Sequence, residues 1–159
     1  MPQGNPELIE ALNEILCAEL TAINQYFVHY RMCENWGIER IAHKKREESL
    51  EEMRDADRII ERILYLEGTP NMQRLFPVRV GEDVFEINEL DLKIELEAVA
   101  RYNKAIALAR ELGDNGTRAL LEQNLKGEEE SVDWLEAQIY QVSQVGREQY
   151  LAEQLHRES

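Results

Sequence analysis

Helix-breaking residues stand at only a few places in this chain, and their placement constrains its fold more than any other feature. The sequence of 159 residues holds 4 Pro and 8 Gly, mostly within or beside the segments NWG, EGTPN, GDNG and VG. Between these segments apolar residues recur every three or four positions, which predicts long amphipathic helices. The expected helices cover residues 6–36, 38–67, 83–112 and 117–145, with a short fifth helix after Gly146.

The lengths of the connections predict how these helices pack. Only a few residues join the first helix to the second and the third to the fourth, so each pair must be antiparallel neighbours. The link GTPNMQRLFPVRVGE between the second and third helices is long enough to run the whole length of a bundle. We therefore expect an all-α four-helix bundle with one long crossover, forming a single domain over residues 1–159.

Composition excludes several kinds of partner. The net charge of -14 comes from 32 acidic and 18 basic residues, whereas binding to nucleic acid depends on clustered Lys and Arg. The first residues, MPQGNPELIE, lack the basic start and apolar run of a signal peptide, and no apolar stretch reaches membrane-spanning length. Cys17 and Cys33 are too far apart on one helix to form a disulfide. We expect a reduced, cytoplasmic protein without nucleic-acid or membrane partners.

Each of the four predicted long helices carries an acid on its apolar stripe. These acids are Glu19, Glu52, Glu95 and Glu128. A buried, unpaired carboxylate is costly unless it takes up a proton, so four of them at one level of a bundle require protons or cations. Any single one could instead rotate to the surface, as many helical acids do. The four together favour a metal site.

The di-iron carboxylate pattern places a Glu on each of two helices and Glu-x-x-His on each of the other two. Here the latter two motifs read EMRD, from Glu52 to Asp55, and EEES, from Glu128 to Ser131. Asp55 can replace a histidine as an iron ligand, whereas Ser131 is a poor neutral ligand and Glu130 lies on a different face. The three histidines are expected to be surface or packing residues: His29, His43 and His156.

The segments AELTAINQYFVHYRMCENWG, EEMRDADRIIERILYLEGTPN, VGEDVFEINELDLKIELE and EEESVDWLEAQI resemble bacterioferritins, and the resemblance covers nearly the whole chain. It implies a ferritin-like fold, a shell of 24 subunits, an iron mineral in its cavity and haem b between pairs of subunits. It also implies that the four core acids match ligands of a dinuclear ferroxidase centre. Asp55 and Ser131 stand where the family has its two histidines, which implies weaker binding of the iron pair.

Met53 is adjacent to Glu52, so it is rotated by about 100° from the core stripe and should face another surface. From its position alone it could simply fill a packing gap. The resemblance implies that Met53 is an axial haem ligand, one from each of two symmetry-related subunits, and thioether ligation raises the reduction potential of haem. Apolar residues expected beside the haem are Leu20, Ile23, Phe27, Leu50 and Ile60.

Two functions follow as hypotheses. The first is a haem-binding iron-storage subunit with an impaired ferroxidase site, which works with a ferroxidase-competent subunit and takes electrons for iron release from a ferredoxin-type donor. The alternative is an active ferroxidase that uses a carboxylate-rich variant site of Glu19, Glu52, Asp55, Glu95 and Glu128. A structural shell that protects DNA is a third class of function, and the acidity of the chain disfavours it.

Overall fold

Five helices and no strand form the part of the chain that the computed structural model describes, residues 3–156. Residues 1–2 and 157–159 of the predicted domain lie outside the described residues. The helices are α1 (Pro6–Asn35), α2 (Glu39–Tyr65), α3 (Val84–Glu111), α4 (Asn115–Val145) and α5 (Arg147–Gln154). The predicted all-α bundle with a short fifth helix is confirmed.

Side-chain caps explain where the helices begin. The Asn5 side chain accepts hydrogen bonds from the backbone N–H groups of Glu7 and Leu8, as expected for an N-cap. The start of α4 was predicted too late, because Asp114 caps this helix by accepting from Thr117 N at 2.9 Å. The first turn of α4 therefore includes two residues that the sequence had assigned to the loop.

The end of α2 also differs from the sequence prediction. The helix ends at Tyr65, before the predicted end at residue 67, and Glu67 takes the left-handed backbone conformation with φ of 63°. Gly68 lies so close to α1 that a Cβ atom on it would stand 2.8 Å from Ile9 Cγ2 and 3.0 Å from Ile63 Cγ2. Glycine is needed at this position for close packing and not for its backbone freedom.

The helices pack as two antiparallel pairs, α1 with α2 and α3 with α4, and the pairs meet mainly along α1 and α3. Apolar residues from all four helices fill one end of the bundle, around Leu12, Ile59, Ala105 and Leu121. A second apolar cluster, which includes Tyr150 of α5, fills the opposite end. A layer of buried polar and charged side chains lies between the two clusters.

The crossover between α2 and α3 runs along α1 for most of its length. Side chains spaced by four or eight residues on α1 accept hydrogen bonds from the crossover backbone, which lacks its own secondary structure. These acceptors are Asn13, Thr21, Gln25 and His29, for the N–H groups of Asn71, Phe76, Arg79 and Gly81. The predicted crossover is confirmed, and α1 holds it in place by accepting hydrogen bonds from its backbone.

Two other properties of the described residues bear on the sequence predictions. No helix in this part of the chain combines the length and the apolar composition needed to cross a bilayer. Cys17 and Cys33 are both buried free thiols. Burial raises the pKa of the Cys33 thiol to about 11, so this thiol is protonated at neutral pH and is a poor nucleophile.

Candidate metal centre

Acids from all four long helices converge in the polar layer. Glu19, Glu52, Asp55 and Glu128 each place an oxygen within 4.8 Å of the others, and Glu48, Glu52 and Glu95 form a second group of the same kind. Because Glu52 belongs to both groups, the acids form one continuous set. We call it the carboxylate cluster: Glu19, Glu48, Glu52, Asp55, Glu95 and Glu128.

The deepest members of the carboxylate cluster are nearly inaccessible to solvent. Glu19, Glu95 and Glu128 are each 1% exposed. Among the described residues, no hydrogen-bond partner reaches Glu19 Oε2, Glu95 Oε2 or either carboxylate oxygen of Glu128. Buried oxygens without partners are unfavourable, so the cluster is arranged to receive protons or cations.

Two buried tyrosines orient the acids. Tyr26 donates its hydroxyl proton to Glu95 Oε1 and Tyr102 donates to Glu19 Oε1, both at 2.7 Å. Burial and the nearby carboxylates raise the pKa of both phenols well above the usual value, so both hydroxyls remain donors at neutral pH. Each tyrosine fixes one oxygen of its acid and leaves the other oxygen without a partner.

Glu52, Asp55, Glu95 and Glu128 hold protons more tightly than ordinary carboxyl groups do. Burial raises the pKa of Asp55 to about 8 and that of Glu95 to about 7. Burial and repulsion from Glu19 raise the pKa of Glu52 and Glu128 well above the usual range. At neutral pH the metal-free cluster therefore retains protons, which a bound cation would displace.

A pocket of about 570 Å³ leads from the protein surface to the cluster. It lies between α2 and α4, which approach each other less closely than α1 and α3 do. On the α4 side it is lined by Gly127, which has no side chain, and by the small Ser131, and the buried acids Glu52 and Asp55 line it on the α2 side. This pocket provides a path by which a cation from solvent can reach the buried acids.

The hydroxyl of Ser131 is engaged in a hydrogen bond with an acid of the cluster. Its Oγ donates a hydrogen bond to Glu48 Oε2 at 2.8 Å, and Lys44 Nζ lies 3.0 Å from Glu48 Oε1. Sequence reasoning missed Glu48. Its signal was available, since Glu48 precedes Glu52 by four residues and so lies on the same face of α2. By contrast, no spacing in the sequence predicts the hydrogen bond from Ser131 to Glu48.

Comparisons with known proteins place the chain in a family. A family model described as a ferritin-like domain matches residues 9–145. A bacterioferritin from Mycolicibacterium paratuberculosis is 47% identical over 155 residues, covering 98% of each chain. Bacterioferritins from Brucella melitensis and Rhodobacter capsulatus are 44% and 46% identical, covering 93% and 91% of this chain and 92% and 89% of their own lengths. The chain belongs to the bacterioferritins.

Membership of the bacterioferritins confirms the resemblance inferred from the sequence and supports iron storage as the general function. The carboxylate cluster is thus a candidate site for iron on its way to storage. That its members bind metal stays a prediction. The ligand assignment of Glu19, Glu52, Asp55, Glu95 and Glu128 rests on their convergence in the core.

In this bacterioferritin Met53 lies outside the core. Met53 is 52% exposed and Phe27 is 54% exposed. The other residues predicted to line a haem pocket are partly buried along α1 and α2, and Leu50 also borders the pocket that leads to the cluster: Leu20, Ile23, Leu50 and Ile60. The α1 and α2 side of the bundle therefore presents an apolar surface separate from the carboxylate cluster.

The three histidines take no part in the cluster. His29 is buried, lies 2.9 Å from Asp91 Oδ1 through Nδ1, and accepts from Gly81 N at 3.0 Å through Nε2. Because Nε2 accepts, Nδ1 carries the proton that is donated to Asp91. His43 pairs with Glu47 on the surface, and His156 is exposed. His29 is a buried residue whose two hydrogen bonds join α1 to α3 and to the crossover.

Proposed function

We propose that this bacterioferritin is the haem-binding subunit of an iron-storage shell, and that its dinuclear site oxidises paired iron slowly. The donor set of the carboxylate cluster carries this proposal. Within residues 3–156, every ligand atom grouped in the cluster is a carboxylate oxygen. Asp55 and Ser131 stand at the two positions where the Glu-x-x-His pattern has a histidine. Oxygen donors bind Fe(II), but the site lacks the imidazole nitrogens of a Glu-x-x-His centre.

Slow oxidation by this subunit requires a source of Fe(III) for the mineral. We propose a shell of 24 subunits in which a second, ferroxidase-competent bacterioferritin subunit oxidises iron. This chain would contribute to the walls of the storage cavity and would bind haem. The wholly helical fold and the long exposed flanks of α1 and α2 are compatible with packing against further subunits.

The residues around Met53 fit haem b. A flexible thioether that is half exposed can serve as an axial ligand, and Phe27, at 54% exposed, offers an aromatic surface that one chain leaves uncovered. Bound haem would supply one-electron transfer between the cavity and an external donor of ferredoxin type. Met53 would ligate the iron, while Phe27, Ile23 and Leu20 would keep water from the porphyrin.

A second candidate function is an active ferroxidase that uses the all-carboxylate site. Two observations favour it: the acids converge within 4.8 Å in each group, and the α2 and α4 pocket gives Fe(II) a path to them. In that case iron oxidation would need no partner subunit. Glu19, Glu52, Asp55, Glu95 and Glu128 would hold the iron pair.

Stopped-flow Fe(II) oxidation by the purified single-gene protein separates the two functions. We expect no fast phase in wild type and a fast phase in the Asp55→His/Ser131→His variant, because the variant restores two nitrogen donors at the cluster. A matched control is Asp57→His/Glu130→His, which adds two histidines at exposed positions nearby. A fast wild-type phase that consumes two iron ions per subunit would instead establish the ferroxidase.

Haem binding has a separate test. Met53→Leu should abolish stoichiometric haem binding without changing assembly, as read from the haem absorbance per subunit and from the particle mass. Met72→Leu is the control, since Met72 is 55% exposed but lies in the crossover. Equal haem content in the two variants would remove Met53 from the assignment.

A further inference from the structure

We propose that Glu48, held in place by Ser131, is itself a metal ligand and replaces the missing nitrogen donor. Glu48, Glu52 and Glu95 would form one half of the centre and bind a divalent cation through oxygen alone. Glu19, Asp55 and Glu128 would form the other half, with Glu52 shared. This inference rests on the proposed use of the cluster for iron, and it adds a ligand that the Glu-x-x-His pattern does not contain.

The helix register brings the three acids together. Glu48 and Glu52 are four residues apart on α2, so their side chains point in the same direction, and Glu95 faces them from α3. One oxygen from each lies within 4.8 Å of the others, which is the spread expected of ligands around a single cation. Glu48 is 8% exposed and lines the pocket through which a cation would arrive.

Partnerless oxygens point to a ligand independently of this clustering. Glu95 accepts from Tyr26 through Oε1, whereas its Oε2 finds no donor among the described residues although the side chain is 1% exposed. Both oxygens of Glu128 are in the same state. A protein that buries such groups without donors ordinarily supplies a proton, a water or a cation.

The hydrogen bond from Ser131 explains how a serine can replace a histidine without loss of the site. Its hydroxyl donates to Glu48 Oε2 at 2.8 Å and fixes the carboxylate against α4. Each carboxylate oxygen offers two acceptor positions, so Glu48 can keep this bond and still bind a cation. A histidine on α4 would bind the metal directly. Serine is smaller, and it positions a carboxylate from α2 instead.

Lys44 supplies the charge that a cation would replace. Its ammonium lies 3.0 Å from Glu48 Oε1, and its side chain is 30% exposed at the pocket. This partial exposure allows the ammonium to withdraw into solvent when a metal binds. The resulting all-oxygen donor set suits hard divalent cations such as Mn²⁺ and Mg²⁺ and does not favour the softer metals that select nitrogen or sulfur.

Titration with Mn²⁺, followed by the electron paramagnetic resonance signal of free Mn²⁺, tests this assignment without any oxidation step. Wild type should bind Mn²⁺ at both halves of the centre. Glu48→Gln should lose the half that contains Glu95, whereas Ser131→Ala should bind there about 10- to 100-fold more weakly, the range seen when a ligand loses its orienting partner. Ser131→Thr keeps the hydroxyl and should keep the affinity.

The matched control is Glu47→Gln, which removes the same charge from the same pocket at an exposed position. Equal Mn²⁺ binding by Glu48→Gln and Glu47→Gln would overturn the role of Glu48, and equal binding by Ser131→Ala and wild type would overturn that of Ser131. Normal haem content with slow iron oxidation would leave the proposed function standing in either case. Fast oxidation by wild type would reject the proposed function without touching the Mn²⁺ result.

Discussion

Two buried acids on α3, Asp91 and Glu95, lie one helical turn apart and are equally hidden from solvent, yet their surroundings are opposite. Asp91 is 0% and Glu95 is 1% exposed. Asp91 Oδ2 lies 2.8 Å from the ammonium of Lys45, and Asp91 Oδ1 lies 2.9 Å from nitrogens of both Gln25 and His29. Glu95 accepts from the hydroxyl of Tyr26, and its neighbour in the cluster is another acid, Glu128.

The protonation of the two acids follows from these contacts. Burial alone would raise the pKa of Asp91, but Lys45 and the hydrogen bond from His29 hold it below its ordinary value. At Glu95 burial prevails and the pKa rises to about 7. The same depth in the bundle therefore gives a permanently charged carboxylate in one place and one that exchanges its proton in the other.

This difference separates a structural site from a reactive one. The Asp91 network joins α1, α2 and α3 and, through Gly81, the crossover, and the ammonium of Lys45 balances its charge. In the carboxylate cluster Lys44 pairs with Glu48 and Arg58 pairs with Asp55, but the described residues place no cationic side chain against the deeper acids. The cost of burying them becomes binding free energy for a cation, since metal binding satisfies the same oxygens.

The largest effect is expected from breaking the Asp91 network. Lys45→Met has a similar shape but leaves Asp91 as an uncompensated buried charge, which typically costs about 3–5 kcal/mol. Guanidinium unfolding of the metal-free protein at neutral pH measures the loss. Lys45 also lies 5.4 Å from the Trp134 ring centroid and 5.6 Å from that of Tyr26, contacts that Met retains in part.

Lys44→Met provides the control, because Lys44 is adjacent in sequence but 30% exposed. Its pair with Glu48 should contribute no more than about 1 kcal/mol. If the two methionine variants lost the same small amount, Asp91 would not depend on Lys45 for its charge. The Asp91 network and the carboxylate cluster would then not differ in how their buried charges are balanced.

An intermediate effect is expected from pH, and its sign differs between the regions. Between pH 4.5 and about 7 the unfolded chain has lost the proton of Glu95 while the folded chain keeps it, so stability falls as pH rises through this window. Asp91, with a lowered pKa, loses its contribution only as pH falls below its ordinary value of 3.8. The metal-free protein should therefore be more stable at pH 5 than at pH 8.

Glu95→Gln should remove part of that slope, because the amide keeps the shape and the bond from Tyr26 but does not titrate. We expect it to gain on the order of 1–3 kcal/mol relative to wild type on going from pH 5 to pH 8, since one pKa unit corresponds to about 1.4 kcal/mol. Thermal unfolding at the two pH values measures this gain. Glu97→Gln, two residues on and partly exposed, should leave the slope unchanged.

The sequence was sufficient for the helices and for the convergence of the acids, because both depend on local patterns. Spacing by three and four places Glu19, Glu52, Glu95 and Glu128 on core faces, and the connection lengths bring those faces together. The sequence did not predict that Lys45 is buried. A lysine on a helix is ordinarily solvated, and only the assembled bundle, in which its ammonium meets Asp91 of α3, shows that it is fully buried.

The sequence also did not predict the contacts that Ser131 and Gly68 make with other helices. The bond from Ser131 to Glu48 joins positions 83 residues apart, and its existence depends on the exact distance between α2 and α4. Gly68 looked like a helix stop, yet its role comes from the approach of Ile9 on another helix. Patterns along one helix carry no information about such distances.

The smallest effect expected tests whether the cluster carries charge at all. Tyr102 donates to the carboxylate of Glu19 at 2.7 Å, and Tyr150 donates to the uncharged amide oxygen of Gln138 at the same distance. Both tyrosines are buried, and an asparagine side chain donates to each hydroxyl. Replacing each with phenylalanine therefore compares a bond to an acid with a bond to an amide in one fold.

Bonds to charged groups contribute roughly 1.5–3 kcal/mol and bonds between neutral groups about 0.5–1.5 kcal/mol. Tyr102→Phe should therefore cost about 1 kcal/mol more than Tyr150→Phe above neutral pH, where the metal-free cluster has begun to ionise. Burial raises the pKa of Glu19, so this excess should decrease as pH falls and the carboxylate takes up a proton. Denaturant unfolding of both variants over a series of pH values measures the excess. An excess that does not change with pH would mean that Glu19 keeps one charge state throughout, and the cluster would then resemble the Asp91 network.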